Sequence, residues 1–169
     1  LIPHTAICDP DLTLTCPPSL TAISGADALA HAIEALTAVR RPADSGIAFD
    51  RVFVGKNALS DEYARASIRL TFANLRTAVA DGGNVEARSR MMMASTLAGL
   101  AFGAAGTSAA HAIQYPIGAM TNTPHGLGVG GLLSYELDYH LEALLDNYAS
   151  LAAHIRHAGR HVAPSCSRL

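Results

Sequence analysis

Along most of the 169 residues, apolar positions recur at the spacing of an α-helix. From Ser19 to about Val39, Leu20, Ile23, Ala26, Leu29, Ala30, Ile33 and Leu36 follow the three-and-four rhythm of a helix with one buried stripe. Residues 40–59 mix structure breakers with charges and predict a surface excursion. Ser60, followed by Asp61 and Glu62, reads as the N-cap of a helix to about Ala80. After a turn over 81–84, a helix from Val85 to about Phe102 grows rich in Ala and Gly. Gly103 and Gly106 separate it from a helix through His111 to about Met120, which Pro116 should kink or shorten. TNTPHG predicts a loop carrying His125, and helices over 127–140 and 142–157 follow. The first twenty residues differ: β-branched residues among Pro3, Pro10, Pro17 and Pro18 predict a short strand and an extended approach. The expected class is all-α, with a helical domain over 19–158 and a tail over 159–169 without helical periodicity, disordered or truncated.

Composition sharpens this picture. Hydrophobic residues make up 50% and charged residues 15% of the chain, so much of it must be buried, in its own core or against something else. The length suits one domain with a real core and is too short for two. A formal charge of −2, with no long charged run before the tail, disfavours nucleic acid and anionic membranes as partners. The uncharged run from Met91 to Pro124 is long enough to raise a membrane span, but Ser95, Ser108, His111 and Gln114 within it predict a helix packed inside a protein. Cys8, Cys16 and Cys166 form no CxxC pair and predict buried or incidental thiols in a reducing compartment. No signal peptide is visible, since Leu1 opens without a basic region and Pro3 interrupts the early apolar stretch. A cytoplasmic protein is expected.

Candidate chemistry centres on four residues. In GADALAHAIEAL, Asp27 and His31 are four apart, which places them on one helix face about 6 Å apart along the axis, close enough to reach one ion. Alone, such a pair is more often an ordinary side-chain contact. His111 lies on a nearly uncharged helix, and a buried imidazole needs a partner; a metal or a backbone carbonyl would both serve. His125 lies between Pro124 and Gly126, where glycines allow a ligand close approach. One carboxylate and three imidazoles suit iron(II) or zinc, and four protein ligands without a thiolate leave a position for a substrate oxygen. Gly126, Gly128, Gly130 and Gly131 suggest a phosphate cradle only weakly, since the strand-then-helix order of a Rossmann or P-loop motif is missing around them. Glu34 reads as a helix-surface carboxylate or as a support for the His31 imidazole. Lys56 and Asn57 could reach a substrate mouth. Phe102 and Met91 to Met93 read as core, and His140, His154, His157 and His161 as solvent-facing.

GADALAHAIEAL and EARSRMMMASTLAGLAFGAAGTSAAHAIQYPIGAMTNTPHGLGVGGLL resemble the C-terminal half of the iron-containing (group III) alcohol dehydrogenases, from about Asp9 to about Ala153. The resemblance implies Asp27, His31, His111 and His125 as metal ligands, to iron(II) in many members and zinc in some. It implies a dehydroquinate synthase-like two-domain enzyme: an N-terminal Rossmann-like NAD(P)-binding domain, then an all-α metal-binding domain, with the active site between. This chain would be the second domain, with the first missing. Residues 1–18 would be the interdomain connection, where Thr13 and Leu14 touch the nicotinamide side of NAD or NADP. The metal would polarise an alcohol or carbonyl oxygen while hydride passes between carbon and nicotinamide. Many members carry a histidine four residues after His111, where this chain has Tyr115, a residue that lines the pocket or packs in the core. Alone, the chain is expected to show little dehydrogenase activity and to expose an apolar surface that favours a homo-oligomer. Two other readings stay open. One is a metal-dependent hydrolase built on helical His and Asp, although the His-Asp dipeptide of HD-type phosphohydrolases is absent; the other is a non-enzymatic helical interaction module.

Overall fold

Pro17 and Pro18 would break a helix from within, and here they start one. Pro18 is the first residue of α1 (Pro18–Thr37), where its missing N–H is not needed and its fixed φ suits the helix. The computed structural model describes residues 4–140 and 152. Among them a 3-10 turn (Pro10–Thr13) and α1 are followed by a one-turn α2 (Ile47–Asp50), α3 (Ala58–Ala80), α4 (Val85–Ala105), α5 (Ala109–Thr121) and α6 (His125–Tyr139). The all-α class matches the expectation, but the short opening strand does not form among the described residues. Prolines remove the donors a strand ladder needs, and Asp9 instead caps the 3-10 turn by accepting the Asp11 N–H at 3.0 Å.

The spine of the domain is α1, which packs on α3, α4 and α6. Its C-terminal half is accordingly buried on nearly every side, from Ala32 through Leu36. The surrounding core joins Ala30, Ala35 and Leu36 of α1 to Ile68 of α3, Ala98 and Ala101 of α4 and Val129 of α6. Alanine at these contacts lets helix axes approach closely. On α4 the alanines at 94, 98, 101 and 105 turn to the core, so Met93 falls on the opposite side and is exposed, contrary to its expected core position. Met91 and Met92 are half-buried.

Several boundaries move for local reasons. Asn57, not Ser60, is the N-cap of α3: its side-chain oxygen accepts the Leu59 and Ser60 N–H groups, and the Ser60 hydroxyl accepts the Asn57 N–H in return. Lys56 donates to the Leu36 carbonyl and lies 3.2 Å from Asp61, so Lys56 and Asn57 are both engaged in structural contacts. Helix α4 runs through Gly103 and ends at Gly106, whose φ of 88° favours glycine. Pro116 does not shorten α5, which continues to Thr121 and stops at the left-handed Asn122. The uncharged run is thereby divided between α4 and α5, and no described helix is long and apolar enough to cross a membrane. Cys8 is exposed and Cys16 half-buried, both as free thiols, and His140 is half-buried at the end of α6. The expected helix over 142–157, the tail, Cys166 and the three later histidines lie outside the described residues.

Candidate metal centre

Three helices converge on one point. Helix α1 carries Asp27 and His31 one turn apart, α5 carries His111 in its first turn, and α6 begins at His125. That last placement corrects the expected loop: Pro124 is the N-cap, and His125 is already helical. Two glycines after it, Gly126 and Gly128, make close helix contacts. A Cβ on Gly126 would stand 2.4 Å from the Ile23 carbonyl oxygen of α1, and one on Gly128 would stand 1.7 Å from the Gln114 side chain of α5. Their bareness lets α6 lie against both neighbours, which brings His125 to Asp27.

Asp27 Oδ1 lies 3.5 Å from His111 Nε2 and 3.5 Å from His125 Nε2. One ligand atom from each of these three residues falls within 4.8 Å of the others. Asp27 Oδ1 and His111 Nε2 are both buried without a hydrogen-bond partner among the described residues. Buried polar atoms are nearly always paired, and two that face each other at 3.5 Å, too far for a good hydrogen bond, are placed to share one partner. Ligands about 2.1 Å from one ion in a tetrahedral arrangement stand about 3.4 Å apart, and the carboxylate–imidazole donor set suits iron(II) or zinc. The residues therefore fit such an ion. His31 stands beside the group of three, with Nδ1 3.6 Å from Asp27 Oδ2, its ring 4.2 Å from that of His111 and stacked on Phe102 at 4.4 Å.

Charge is unevenly held across the cluster. Burial disfavours a charged His31 and lowers its pKa to about 4 despite the attraction of Asp27, so the ring is neutral at pH 7. Burial also opposes charge on His111, but the carboxylates of Asp27 and Glu34 outweigh it and raise that pKa to about 9. For Asp27 burial acts upward, yet the surrounding histidines, His111 foremost, hold its carboxyl below the ordinary range.

Glu34 is the residue the sequence reading misplaced. It is fully buried; Oε1 accepts the His111 backbone N–H at 3.3 Å and Oε2 meets His111 Nδ1, so it serves His111 and not His31. A signal for burial was present, since Asp27, His31 and Glu34 fall at i, i+4 and i+7 on one stripe of α1. Tyr115 is 63% exposed, which excludes core packing, and its ring stacks 5.7 Å from that of His125. Thr13 and Leu14 lie apart from the cluster, at the 3-10 turn beside α4. Thr13 lines a cavity of about 220 Å³ whose walls include Gly25, Arg88 and Met91 but none of the clustered residues.

Known proteins share this arrangement of chain. The chain is 41% identical over 139 residues to long-chain-alcohol dehydrogenase 1 of Geobacillus thermodenitrificans, covering 82% of this chain and 31% of that protein. It superposes on alcohol dehydrogenase from Oenococcus oeni with a TM-score of 0.75 and 35% identity, covering 87% of this chain and 34% of that one. A sulfoacetaldehyde reductase from Bifidobacterium kashiwanohense, solved in complex with NAD+, gives a TM-score of 0.67 and 29% identity, covering 87% of this chain and 40% of that one. The chain thus spans about a third of the length of the curated relatives it matches. The family model described as Fe-containing alcohol dehydrogenase, C-terminal, matches residues 21–167, and the chain belongs to that family, as its C-terminal part.

Proposed function

We propose that this chain forms the metal-binding part of an NAD(P)-dependent alcohol dehydrogenase, with Asp27, His31, His111 and His125 holding iron(II) or zinc. The observation that carries the reading is the unpaired, buried Asp27 Oδ1 and His111 Nε2, with His125 Nε2 at the same 3.5 Å from Asp27. When bound, the ion supplies a Lewis acid for the oxygen of an alcohol or carbonyl substrate. Asp27, held ionised, offsets part of the cation's charge. His31, neutral at pH 7, offers a lone pair without first losing a proton. Tyr115 covers His125 on the exposed side and lines the approach of the substrate.

NAD or NADP is the hydride acceptor, a reading supported by the NAD+ complex of the related reductase, and Thr13 and Leu14 are assigned to its nicotinamide side. Gly126, Gly128 and Gly131 have the G-x-G-x-x-G spacing, but they lie inside α6 with no strand before it among the described residues, so they form no pyrophosphate loop and turnover requires a nucleotide-binding part beyond these 169 residues. The free thiols of Cys8 and Cys16 fit a cytoplasmic setting. The test compares the 169-residue chain with the protein translated from its whole gene, each loaded with iron(II) or zinc and assayed for NAD(P)H formation from primary alcohols and diols. Metal should bind both and turnover should follow the longer protein. Robust turnover by the 169 residues alone, or none by the whole product, would overturn the proposal.

A further inference from the structure

Helix α5 begins without a cap of its own. Its N-cap, Ser108, makes no side-chain hydrogen bond to the first turn, although the N–H groups there are without partners inside the helix. Two buried glutamates from other helices take that role. Glu136 of α6 accepts the Ala110 N–H at 2.7 Å, and Glu34 of α1 accepts the His111 N–H at 3.3 Å. The helices that carry the other candidate ligands thus each send a carboxylate to the start of the helix that carries His111.

The two glutamates differ in what else they touch. The second oxygen of Glu34 meets His111 Nδ1, while the one side-chain bond of Glu136 among the described residues goes to a backbone N–H. Among the described residues His111 is the only ion-pair partner of Glu34, which is fully buried, against 1% exposure for His111. A buried carboxyl group given to a single imidazole is costly unless it fixes something. Because the carboxylate accepts and does not donate, the neutral ring, which is the form that binds a metal, carries its proton on Nδ1 and keeps the Nε2 lone pair on the side of Asp27.

We infer that Glu34 is the positioning residue of the metal centre: by holding both the backbone N–H and the Nδ1–H of His111, it fixes the ring's tautomer and aims Nε2 at the ion. The inference rests on the proposed metal site. Glutamine at this position has nearly the same shape but only one accepting atom. In Glu34→Gln, one of the two His111 donors would face the new NH2 group, and the tautomer with its proton on Nε2, which cannot bind the ion through that atom, would gain.

Zinc titration of the 169-residue chain by calorimetry, with the metal-free melting temperature recorded for each variant, tests this. Glu34→Gln should weaken zinc binding about 10- to 100-fold. Glu136→Gln removes a cap of the same helix and should lower the metal-free melting temperature while leaving zinc affinity where it was. Nitrogen-15 NMR of the unsubstituted, zinc-loaded chain gives a reading that needs no variant to fold: His111 should carry its proton on Nδ1 and its metal on Nε2. Equal zinc affinity in Glu34→Gln and the parent, equal affinity losses in the two glutamine variants, or metal on Nδ1 would each overturn the inference alone. A parent chain that binds no zinc would overturn the metal site itself, and this inference with it.

Discussion

Two buried polar networks lie along α1, and they are built on opposite principles. Near its start, Arg88 of α4 is 4% exposed and meets no carboxylate among the described residues, yet three of its nitrogens have oxygen partners: Gly82 O at 3.0 Å, Thr21 Oγ1 at 2.6 Å and Cys16 O at 3.0 Å. Two turns further along, Asp27 and His111 place unpaired atoms face to face. The first network spends every polar contact on joining the 3-10 turn, α1 and α4. The second withholds two contacts in a place where withholding is expensive. Satisfied burial of charge marks a structural joint; convergent, unsatisfied burial marks a site that expects a ligand.

The comparison breaks first at its extremes. Asp27→Ala and His111→Ala should abolish measurable zinc or iron(II) binding in a calorimetric titration, because each removes one of the two buried atoms that face each other. Retained stoichiometric binding in both would show that the unpaired atoms mean nothing. Arg88→Met should do the reverse: it discards hydrogen bonds made by a charged donor and leaves the Cys16 and Gly82 carbonyls short of a partner, lowering unfolding free energy in urea by about 3 kcal/mol. Its zinc affinity should match the parent's. A large affinity loss there would merge the two networks into one.

Protonation sharpens the contrast, since the metal-free cluster contains shifts of opposite sign. His111, raised to about 9, contributes stability that is fully present below its ordinary value of 6.5 and is lost as pH rises through 9. His31, lowered to about 4, contributes stability present above 6.5 and lost as pH falls toward 4. Together they put the cluster's greatest contribution near pH 6.5, with a slope of at most about 1.4 kcal/mol per unit on either side. Urea midpoints of the metal-free chain should fall toward alkaline pH; saturating zinc should abolish that decline, because the deprotonated ring is the form that binds. An alkaline decline that persists unchanged with zinc would place the ion away from His111.

The residues that make the site were legible where a local rule governs them and illegible where tertiary contact does. The spacing of Asp27 and His31 is a property of one helix, so sequence alone put them on one face. Glu34 lies on the same stripe, but its partner comes from α5, 77 residues away, and only the tertiary placement of α5, which packs on α6, decides that it serves His111. His125 was read as a loop residue because Pro124 and Gly126 are loop formers in isolation; the space between α6 and α1 turns the same glycine into a helix contact. The N-cap of α3 moved from Ser60 to Asn57 for a similar reason, as both side chains belong to one reciprocal box and either could head it on propensity.

Gly126 offers the smallest and most discriminating change, because it touches α1 at Ile23 and Asp27, on the far side of the Arg88 joint. The added methyl of Gly126→Ala would stand 2.4 Å from the Ile23 carbonyl oxygen and 3.0 Å from Asp27 Cβ. Backbone cannot move aside as a flexible side chain can, so α6 must lift. Alanine's better helix propensity returns about 1 kcal/mol of an overpacking penalty of about 2, leaving a net loss of about 1 kcal/mol. The lift carries His125, the first residue of α6, away from Asp27, whereas the contacts of Arg88 to Cys16, Thr21 and Gly82 involve no part of α6. Zinc affinity should therefore fall several-fold more than the stability loss accounts for. If calorimetry instead finds the parent's affinity, the close crossing of α6 on α1 serves packing alone, and His125 reaches the ion through side-chain freedom rather than through the fit of two helices.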